Sequence, residues 1–370
     1  MVFGITTGIG ASSYFGGLFS YLKSHDFEVN FIAKDEAGAR EFAEGEGATF
    51  IPIDLKREPS PLSDIGGLLR MVQILRIVKP EICVWGTPKA GLLGVLASKI
   101  LRVKSVYVVH GLRYAGCAGW RRSVYRAVEA ISCRTADHVV TVGSEIGQQL
   151  VDDKVLRRVP QLVGNGSANG IEDAHPVPRV QALQELGLAP GTLVVGFVGR
   201  VTSDKGIPEL LLAWRIVLAE FEGSVRLAVA GLREPDSYIA PLSKLIDSAE
   251  KVSWMGHLRD LRPLYSCLDV LVLPSKREGL PAVLLEAGVY QRASVVGTNP
   301  GVGEAVLNGL TGLKVDPSDI RSLADSILVL LRDEKLRTDM GIAAREHVLG
   351  TYSRNSVHQA WSDYLQSLAR

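Results

Sequence analysis

The sequence alternates between two kinds of segment along almost its whole length. Short runs of apolar and β-branched residues, bounded by Gly, Pro or Asp, are followed by amphipathic stretches of ten or more residues. This alternation is typical of repeated βα units, because each parallel strand needs a crossover helix before the next strand begins. It predicts an α/β fold with parallel sheets.

The predicted strands fall into two series, separated by a segment at 165–181 that is dense in Asn, Gly, Ser and Pro and typical of a linker. The first series comprises residues 2–6, 28–33, 82–85, 105–109 and 138–142, with helices at 15–23, 66–78 and 123–133 among them. The second comprises 193–198, 225–230, 252–254, 270–273 and 294–296. Two doubly wound domains are predicted, 1–170 and 171–352, with a cleft between the carboxyl ends of their sheets.

Composition excludes several classes of protein. The chain has 370 residues, room for about two domains, with 46% hydrophobic residues and a net charge of +1, so global attraction to polyanions is not expected. The four cysteines show no CxxC pair or zinc spacing, which predicts a reduced, cytoplasmic protein. We expect no signal peptide or transmembrane helix, because no suitable basic and apolar segments occur.

Ligands of open α/β sheets bind beyond the carboxyl ends of the strands, so the functional residues are expected in the loops after the strands. The loop at 7–13 carries Gly8 and Gly10 but has Ser13 at the third glycine position of a G-x-G-x-x-G fingerprint. Its amides would bind an anion, or the loop is a tight turn. With Ser13 there, a nicotinamide oxidoreductase is the least favoured function.

The loop after the strand at 193–198 contains Arg200 and Lys205, which lie between Gly199 and Gly206 in the sequence. A guanidinium and an ammonium together would neutralise a diphosphate and stabilise the charge that develops when it leaves a carbon atom. The alternative is a surface ion pair between Lys205 and Asp204 or Asp236.

Two acids follow the strand at 270–273. Glu278 lies in the loop and Glu286 in the next helix, in a stretch from 280 to 290 that is otherwise uncharged. A carboxylate in such surroundings needs partners, and vicinal sugar hydroxyls would suit it. The alternatives are pairing of Glu278 with Lys276 or Arg277, and of Glu286 with a neighbouring backbone or basic group.

His110 ends the strand at 105–109, where a histidine is either a structural residue or a ligand-binding group. It would orient a sugar or assist with an acceptor proton, and Arg113 would meet an acceptor phosphate. Residues 65–135 carry twelve basic residues and two acids, with Trp120 and Tyr125 among them. Such a patch suits an anionic membrane face or a lipid diphosphate, or is simply solvated; no nucleic-acid motif accompanies it.

Taken together, the chain resembles the retaining glycosyltransferases of family 4, which have the GT-B fold of two facing Rossmann-like domains. The resemblance covers essentially the full length. It rests on Gly199-Arg200-x4-Lys205-Gly206 and on Pro-Ser-x3-Glu278-Gly-Leu-Pro-x4-Glu286-Ala. Within that family, His-Gly-Leu-Arg-Tyr from His110 and Gly-Ser-Ala-Asn-Gly-Ile from Gly166 resemble bacterial enzymes that extend lipid-linked sugars for capsule, O-antigen or glycan assembly.

The resemblance implies a role for each of these residues. Arg200 and Lys205, with Gly10 of the first loop, would bind the donor diphosphate, and Glu286 the ribose. Glu278, the backbone of Gly279 and Leu280, and His110 would bind the donor sugar; His110, Glu278, Arg200 and Lys205 form the expected catalytic set. Arg113 and Tyr114 are expected at the acceptor, and a final helix at about 353–370 returns to the first domain.

The resemblance also implies the reaction. The expected enzyme moves a hexose or N-acetylhexosamine-type sugar from a nucleotide-sugar, with UDP as the expected nucleotide, to a polyprenyl-diphosphate-linked saccharide. No metal and no cofactor are expected. The enzyme would lie in the cytoplasm, peripherally attached to the inner face of the cell membrane. A nucleotide-sugar epimerase and a non-catalytic sugar-nucleotide or lipid-binding protein remain alternatives.

Overall fold

The computed structural model describes residues 1–36, 38–56, 60–233, 245–246, 248–299, 301–302 and 304–369. The chain divides into two units, one made of residues 1–170 and 354–370 and the other of residues 171–353. Each unit contains its own parallel sheet with helices packed on it, so the predicted α/β class is confirmed.

Seven described strands form the sheet of the first unit: β1 Val2–Gly4, β2 Asn30–Ala33, β3 Thr49–Pro52, β4 Ile82–Gly86, β5 Lys104–Val109, β6 His138–Thr141 and β7 Gln161–Leu162. Their order is β3-β2-β1-β4-β5-β6-β7, and all neighbours are parallel. The sequence predicts five of them. It misses β3, a partly exposed edge strand, and β7, which has only two residues. The order reverses between β1 and β4, where open sheets bind ligands.

The helices of this part of the chain are α1 Ala11–Phe15, α2 Leu18–Lys23, α3 Ala39–Gly45, α4 Pro61–Val78, α5 Pro88–Leu101, α6 Gly119–Thr135 and α7 Ser144–Asp152. The predicted helix at 15–23 is interrupted, because Gly16 and Gly17 separate α1 from α2. The Glu46 carboxylate accepts hydrogen bonds from the amides of Gly17 (2.7 Å) and Ser20 (3.1 Å). Glu46 thereby caps the start of α2, which has no side-chain cap of its own.

Six described strands form the sheet of the second unit: β8 Leu193–Val198, β9 Val225–Ala230, β10 Val252–Gly256, β11 Val270–Leu273, β12 Ala293–Gly297 and β13 Gly312–Val315. Their order is β10-β9-β8-β11-β12-β13, again parallel throughout. Five are predicted from the sequence, and β13, at the edge, is missed. The order reverses between β8 and β11, so the loops after these two strands occupy the switch point of this sheet.

The described helices of the second unit are α8 Arg179–Glu185, α9 Ile207–Glu220, α10 Arg262–Cys267, α11 Ala282–Val289, α12 Ile320–Arg332 and α13 Glu334–Tyr352. Pro208 lies in the first turn of α9 as predicted. Pro281 is the residue before α11 rather than its first residue, with an extended backbone at ψ 113°. The apolar faces of these helices and of the six strands form one continuous core.

The final helix, α14 Arg354–Ala369, belongs to the first unit. Its Gln359 side chain accepts a hydrogen bond of 2.6 Å from the Tyr21 hydroxyl on α2. Its Leu368 carbonyl accepts one from the Lys104 ammonium at the start of β5. Trp361 and Leu365 are buried against this unit.

A buried acid makes the stability of the first unit depend on pH. Glu129 of α6 is 2% exposed and accepts a hydrogen bond of 3.0 Å from the Tyr107 hydroxyl. Burial raises the pKa of Glu129 from 4.5 to about 7, although the Tyr107 hydrogen bond opposes the shift. The folded state therefore holds a proton that the unfolded state releases, and stability falls as the pH rises from 4.5 to 7.

We expect Glu129→Gln to abolish this dependence and to raise the free energy of unfolding at pH 8 by up to about 3 kcal/mol. Urea unfolding between pH 5 and pH 8 measures the free energy of unfolding, and Glu81→Gln, at an exposed acid, is the control. If the free energies of unfolding of wild type and Glu129→Gln differ by the same amount at every pH in this range, the raised pKa of Glu129 is disproved.

Candidate functional site

The loops that carry the predicted cations and acids lie side by side in the second unit. One loop follows β8 and contains Lys205, and the other follows β11, the neighbour of β8, and contains Glu278. The Lys205 Nζ atom lies 2.5 Å from Oε1 of Glu278, and the two side chains are 17% and 10% exposed. A basic residue and an acid that are 73 positions apart therefore belong to one site.

Backbone contacts hold the two loops together. The Lys276 amide donates to the carbonyl oxygen of Asp204 over 2.9 Å, and the Ser275 hydroxyl donates to the same oxygen over 3.3 Å. Gly206 has φ +77°, and a Cβ atom there would lie 2.1 Å from the carbonyl oxygen of Pro274. Only glycine allows this approach.

Asp204 connects two guanidinium groups beside the Lys205–Glu278 pair. Its Oδ2 atom lies 3.0 Å from Arg277 Nη2 and 3.5 Å from Arg200 Nη2. Burial raises the pKa of Asp204, but the Thr202 hydroxyl and the nearby cations outweigh burial and lower it. The carboxylate is therefore charged at neutral pH, and the five groups Arg200, Asp204, Lys205, Arg277 and Glu278 carry a net charge of +1.

The ion pairs of the described residues differ from the pairing of Glu278 with Lys276 or Arg277 and from the pairing of Lys205 with Asp204. Glu278 pairs with neither Lys276 nor Arg277, because Lys276 pairs with Glu209 at 2.7 Å and Arg277 with Asp204. The close ion pairs of Asp204 are with the two guanidinium groups, whereas the close ion pair of Lys205 is with Glu278. Asp236 lies outside the described residues.

Glu286 lies in α11, the helix that follows the Glu278 loop. Its Oε2 atom accepts a hydrogen bond of 2.6 Å from the Tyr265 hydroxyl, rather than from the backbone or basic group considered as the alternative. Burial raises its pKa, and the Tyr265 hydrogen bond lowers it only in part. Among the described residues, no cation forms an ion pair with Glu286, so its second oxygen is available to a hydroxyl donor.

A third loop, after β12, supports the Glu278 loop and was not found from the sequence. Gly301 has φ +89°, and a Cβ atom there would lie 2.1 Å from the Gly279 carbonyl oxygen. The Asn299 side chain donates to the Ser275 carbonyl oxygen over 3.0 Å. The turn-forming sequence at 299–301 was the available signal. Gly279 and Leu280 are half-buried in the supported loop.

In the first unit, His110 follows β5 and is enclosed by apolar groups. Its ring centroid lies 4.4 Å from that of Tyr14, and a Cβ atom on Gly86 would lie 2.8 Å from its Nε2 atom. Both ring nitrogens are buried and have no hydrogen-bond partner among the described residues. Burial lowers the pKa of His110 to about 4, so the imidazole is neutral at pH 7. It also lines a cavity of about 10 Å³ together with Ala168 and Trp361.

The first loop contributes to this pocket through α1. Gly10 adopts the left-handed conformation, with φ +83°, and precedes α1, which has no side-chain cap. Tyr14, the fourth residue of α1, packs on His110. Gly10 and His110 thus belong to neighbouring parts of one unit, and Arg200, Lys205, Glu278 and Glu286 belong to the other.

The two residues predicted at the acceptor have different surroundings. The Arg113 guanidinium lies 4.4 Å from the centroid of the Tyr125 ring on α6, and the side chain is half-buried. Tyr114 is fully buried in the core, in a short 3₁₀ helix, and burial raises the pKa of its hydroxyl. The Tyr114 side chain reaches inward and presents no exposed surface here, so its predicted contact with an acceptor gains no support and stays a prediction.

The structure also corrects the first part of the predicted linker, which is buried in the first unit. Ser167 and Asn169 are buried, and the Ser167 amide donates to the Val142 carbonyl over 2.7 Å. The Asn169 side chain donates to the Gly16 carbonyl (2.9 Å), and its Oδ1 atom is 2.9 Å from Nε2 of His358 on α14. Residues 165–170 are an integral part of the first unit, because Asn and Ser side chains satisfy buried backbone groups here. Composition indicated the turns but not their burial.

Across the part of the chain that the structure describes, no helix has the length and apolar character needed to cross a bilayer. Within the same residues, no cluster of three or more His, Cys, Asp or Glu side chains is arranged to hold a metal ion.

Two family models cover most of the chain. Residues 9–166 match the "Glycosyl transferase 4-like domain", and residues 192–333 match "Glycosyl transferases group 1". The capsular polysaccharide biosynthesis glycosyltransferase CapM of Staphylococcus aureus is 29% identical over 91% of this chain and 89% of its own. The alpha-maltose-1-phosphate synthase of Mycolicibacterium smegmatis is 30% identical over 71% of this chain and 73% of its own.

Solved structures agree with the fold. The Anabaena HepE crystal structure, in complex with UDP and glucose, superposes with a TM-score of 0.83 at 18% identity and covers 99% of both chains. The Escherichia coli UDP-Gal:alpha-D-GlcNAc-diphosphoundecaprenol alpha-1,3-galactosyltransferase is a further relative, 23% identical over 90% of this chain and 88% of its own. The chain belongs to the GT-B glycosyltransferases of the group 1, family 4 type.

Proposed function

We propose that this glycosyltransferase moves a hexose or N-acetylhexosamine-type sugar, with retention of configuration, from a UDP-sugar to a polyprenyl-diphosphate-linked saccharide in cell-surface polysaccharide or glycan assembly. The Lys205–Glu278 pair at the β8/β11 switch point, with Arg200 beside it, carries the proposal. The names of the S. aureus and E. coli relatives, and the UDP bound to HepE, support the substrate classes.

The cations act on the leaving group. When the bond between the anomeric carbon and the diphosphate breaks, the diphosphate takes the electron pair and gains negative charge. Lys205 and Arg200 are held near this charge before the reaction begins, so they stabilise it without reorganisation. The backbone around Gly10 is assigned to the same diphosphate.

The carboxylates hold the sugar and the ribose. Glu278 accepts hydrogen bonds from donor-sugar hydroxyls, and the amides of Gly279 and Leu280 donate to the same sugar. Glu286 accepts from the ribose through the oxygen that Tyr265 leaves available. A hydroxyl missing from the substrate would leave one of these half-buried groups unpaired, which gives selectivity.

The neutral His110 acts as a hydrogen-bonding group at the transferred sugar rather than as a cation. The acceptor hydroxyl attacks the anomeric carbon from the side of the leaving group, and its proton passes to the departing diphosphate. This balances the reaction without a side-chain nucleophile. The reaction, on this proposal, uses no metal ion or cofactor. Arg113 is assigned to an acceptor phosphate.

A panel of nucleoside diphosphates and nucleotide-sugars tests the proposal. We expect UDP-sugars to raise the unfolding temperature, since a ligand at 100 times its Kd adds about 2.7 kcal/mol of stability. The stabilising donor should be consumed only when a polyprenyl-diphosphate saccharide is present, and the product should retain the donor's anomeric configuration. Consumption of the donor alone would instead indicate an epimerase, and stabilisation without consumption a binding protein.

We also propose that the first unit binds the anionic inner face of the cell membrane, in the cytoplasm. Helix α6 exposes Trp120, at 72%, together with Val124 and Ile131, and α4 exposes Leu62, at 87%. Arg121, Arg122, Arg126 and Arg134 are the basic residues of α6. Glu129, the sole acid of α6, is buried, and Asp153 pairs with Arg122 at 3.7 Å. This surface therefore combines apolar side chains with a majority of positive charge.

Replacing Trp120 with serine should weaken binding to vesicles of phosphatidylglycerol and phosphatidylcholine at least about tenfold, because insertion of an aromatic ring contributes roughly 1.5–3 kcal/mol. Cosedimentation measures the effect, and Leu310→Ser, at a residue 57% exposed in the second unit, is the control. Equal binding to vesicles of phosphatidylcholine alone would contradict an anionic target, and unchanged binding of the Trp120 variant would contradict the surface.

A further inference from the structure

The proposed donor site contains a second arginine, Arg277, for which the proposed function has no role. Its Nη2 atom donates to Asp204 Oδ2 over 3.0 Å, and the same oxygen lies 3.5 Å from Arg200 Nη2. The Nη2 atoms of Arg277 and Arg200 are therefore no farther apart than the sum of these two distances. Arg277 also directly precedes Glu278, so its backbone position is fixed by the same loop.

Asp204 is itself fixed on three sides. Its Oδ1 atom accepts a hydrogen bond from the Thr202 hydroxyl, and its carbonyl oxygen accepts those from Lys276 and Ser275. Asp204 lies in the 3₁₀ turn Ser203–Lys205, which leads into Gly206 and α9. The carboxylate itself accepts from Thr202 and contacts both guanidinium groups, so it is placed to orient these two partners rather than to bind a ligand directly.

Arg277 has a hydrogen-bond donor that the described part of the protein does not satisfy. Lys205 pairs with Glu278, and Arg277 pairs with Asp204, whose Oδ2 atom also lies 3.5 Å from Arg200 Nη2. The Arg277 Nε atom is buried and has no acceptor among the described residues. An unmet donor on a guanidinium group at a site for a diphosphate favours a bound phosphate oxygen as the missing acceptor.

We infer that Arg277 is a third cation for the donor diphosphate and that Asp204 is a positioning residue that sets Arg200 and Arg277 at their spacing. This inference rests on the proposed function. It predicts that three cations face the two phosphates, and that the carboxylate between the arginines prevents their mutual repulsion from turning either away.

Calorimetric titration with UDP and with UMP separates a phosphate contact from a structural role. In Arg277→Met we expect the ratio of UDP affinity to UMP affinity to fall at least about tenfold, since a charge-assisted hydrogen bond contributes roughly 1.5–3 kcal/mol. Lys276→Met is the matched control, because Lys276 is the adjacent residue and pairs with Glu209 instead. Its ratio should stay within twofold of wild type.

An unchanged ratio in Arg277→Met, or an equal loss for both nucleotides, overturns the third-cation role while leaving the proposed function standing. If wild type binds UDP no better than UMP, and the same holds for ADP against AMP and GDP against GMP, the proposed function fails, and this inference fails with it. An unfolding temperature for each variant identifies any that fail to fold, and Arg277→Lys then replaces the methionine variant with the same expected direction.

The positioning role of Asp204 predicts a split between kcat and KM. Asp204→Asn removes a negative charge beside the diphosphate, which offsets the weaker arginine contacts in the ground state, so UDP affinity and donor KM should change little. The arginines lose their fixed spacing, so kcat should fall about tenfold, and Asp204→Glu should restore part of it. A variant with raised KM and unchanged kcat, or no change in either, overturns this role.

Discussion

Replacing Lys205 with methionine should lower kcat/KM for sugar transfer by about 10³-fold. The substitution removes the ammonium that faces the departing diphosphate, and loss of one such preorganised group costs about 10²–10³-fold in rate. It also leaves Glu278, 10% exposed, without the partner that lies 2.5 Å away. An unpaired carboxylate in that position repels the diphosphate and adds to the loss.

Lys276→Met is the matched control for this variant. Lys276 lies in the loop after β11, but its ammonium pairs with Glu209 at 2.7 Å, and it has no assigned contact with the substrate. We expect less than a threefold change in kcat/KM for the control. A Lys205→Met enzyme that folds, as judged by its unfolding temperature, and keeps wild-type kcat/KM would show that the diphosphate is bound elsewhere.

His110→Ala should lower kcat by about 10²-fold and leave UDP affinity within twofold of wild type. The imidazole belongs to the first unit and is assigned to the transferred sugar, so its loss affects the reacting end of the donor rather than the nucleotide. Because burial lowers the pKa of His110 to about 4, the wild-type ring stays neutral from pH 5.5 to 8. Its titration should therefore be absent from the pH–rate profile over that range.

The control for His110→Ala is His25→Ala, at a half-buried histidine of the same unit that stacks on Tyr21 at 4.3 Å. Steady-state rates across the pH range, with UDP titrations of both variants, provide the comparison. An ionisation near pH 6.5 in the wild-type profile that disappears in His110→Ala would contradict a permanently neutral ring. A loss of UDP affinity equal to the loss of kcat would contradict its assignment to the sugar.

The sequence predicts the central strands better than the edge strands, for a physical reason. β8, β9 and β11 match their predicted ranges because strands buried on both faces are continuous apolar runs. β3 and β13 lie at sheet edges and are only partly buried, so their apolar signal is weak. Turn composition likewise cannot distinguish an exposed linker from the buried segment at 165–170.

The site was predicted at the level of loops but not of ion pairs. Switch-point topology places the loops of Lys205 and Glu278 together, which the alternation of strands and helices already implied. The choice among Lys205, Lys276 and Arg277 as partner of Glu278 depends on side-chain directions that spacing does not encode. The same holds for Tyr114, which follows Arg113 in the sequence yet reaches into the core.

A crystal structure of the protein with a bound UDP-sugar decides the donor assignment. We expect diphosphate oxygens at about 3 Å from Lys205 Nζ and the Arg200 guanidinium, ribose hydroxyls at Glu286, and sugar hydroxyls at Glu278. A nucleotide seated at the β8/β11 switch point with these contacts would establish the site. A nucleotide bound without contact to Lys205 or Arg200 would refute it.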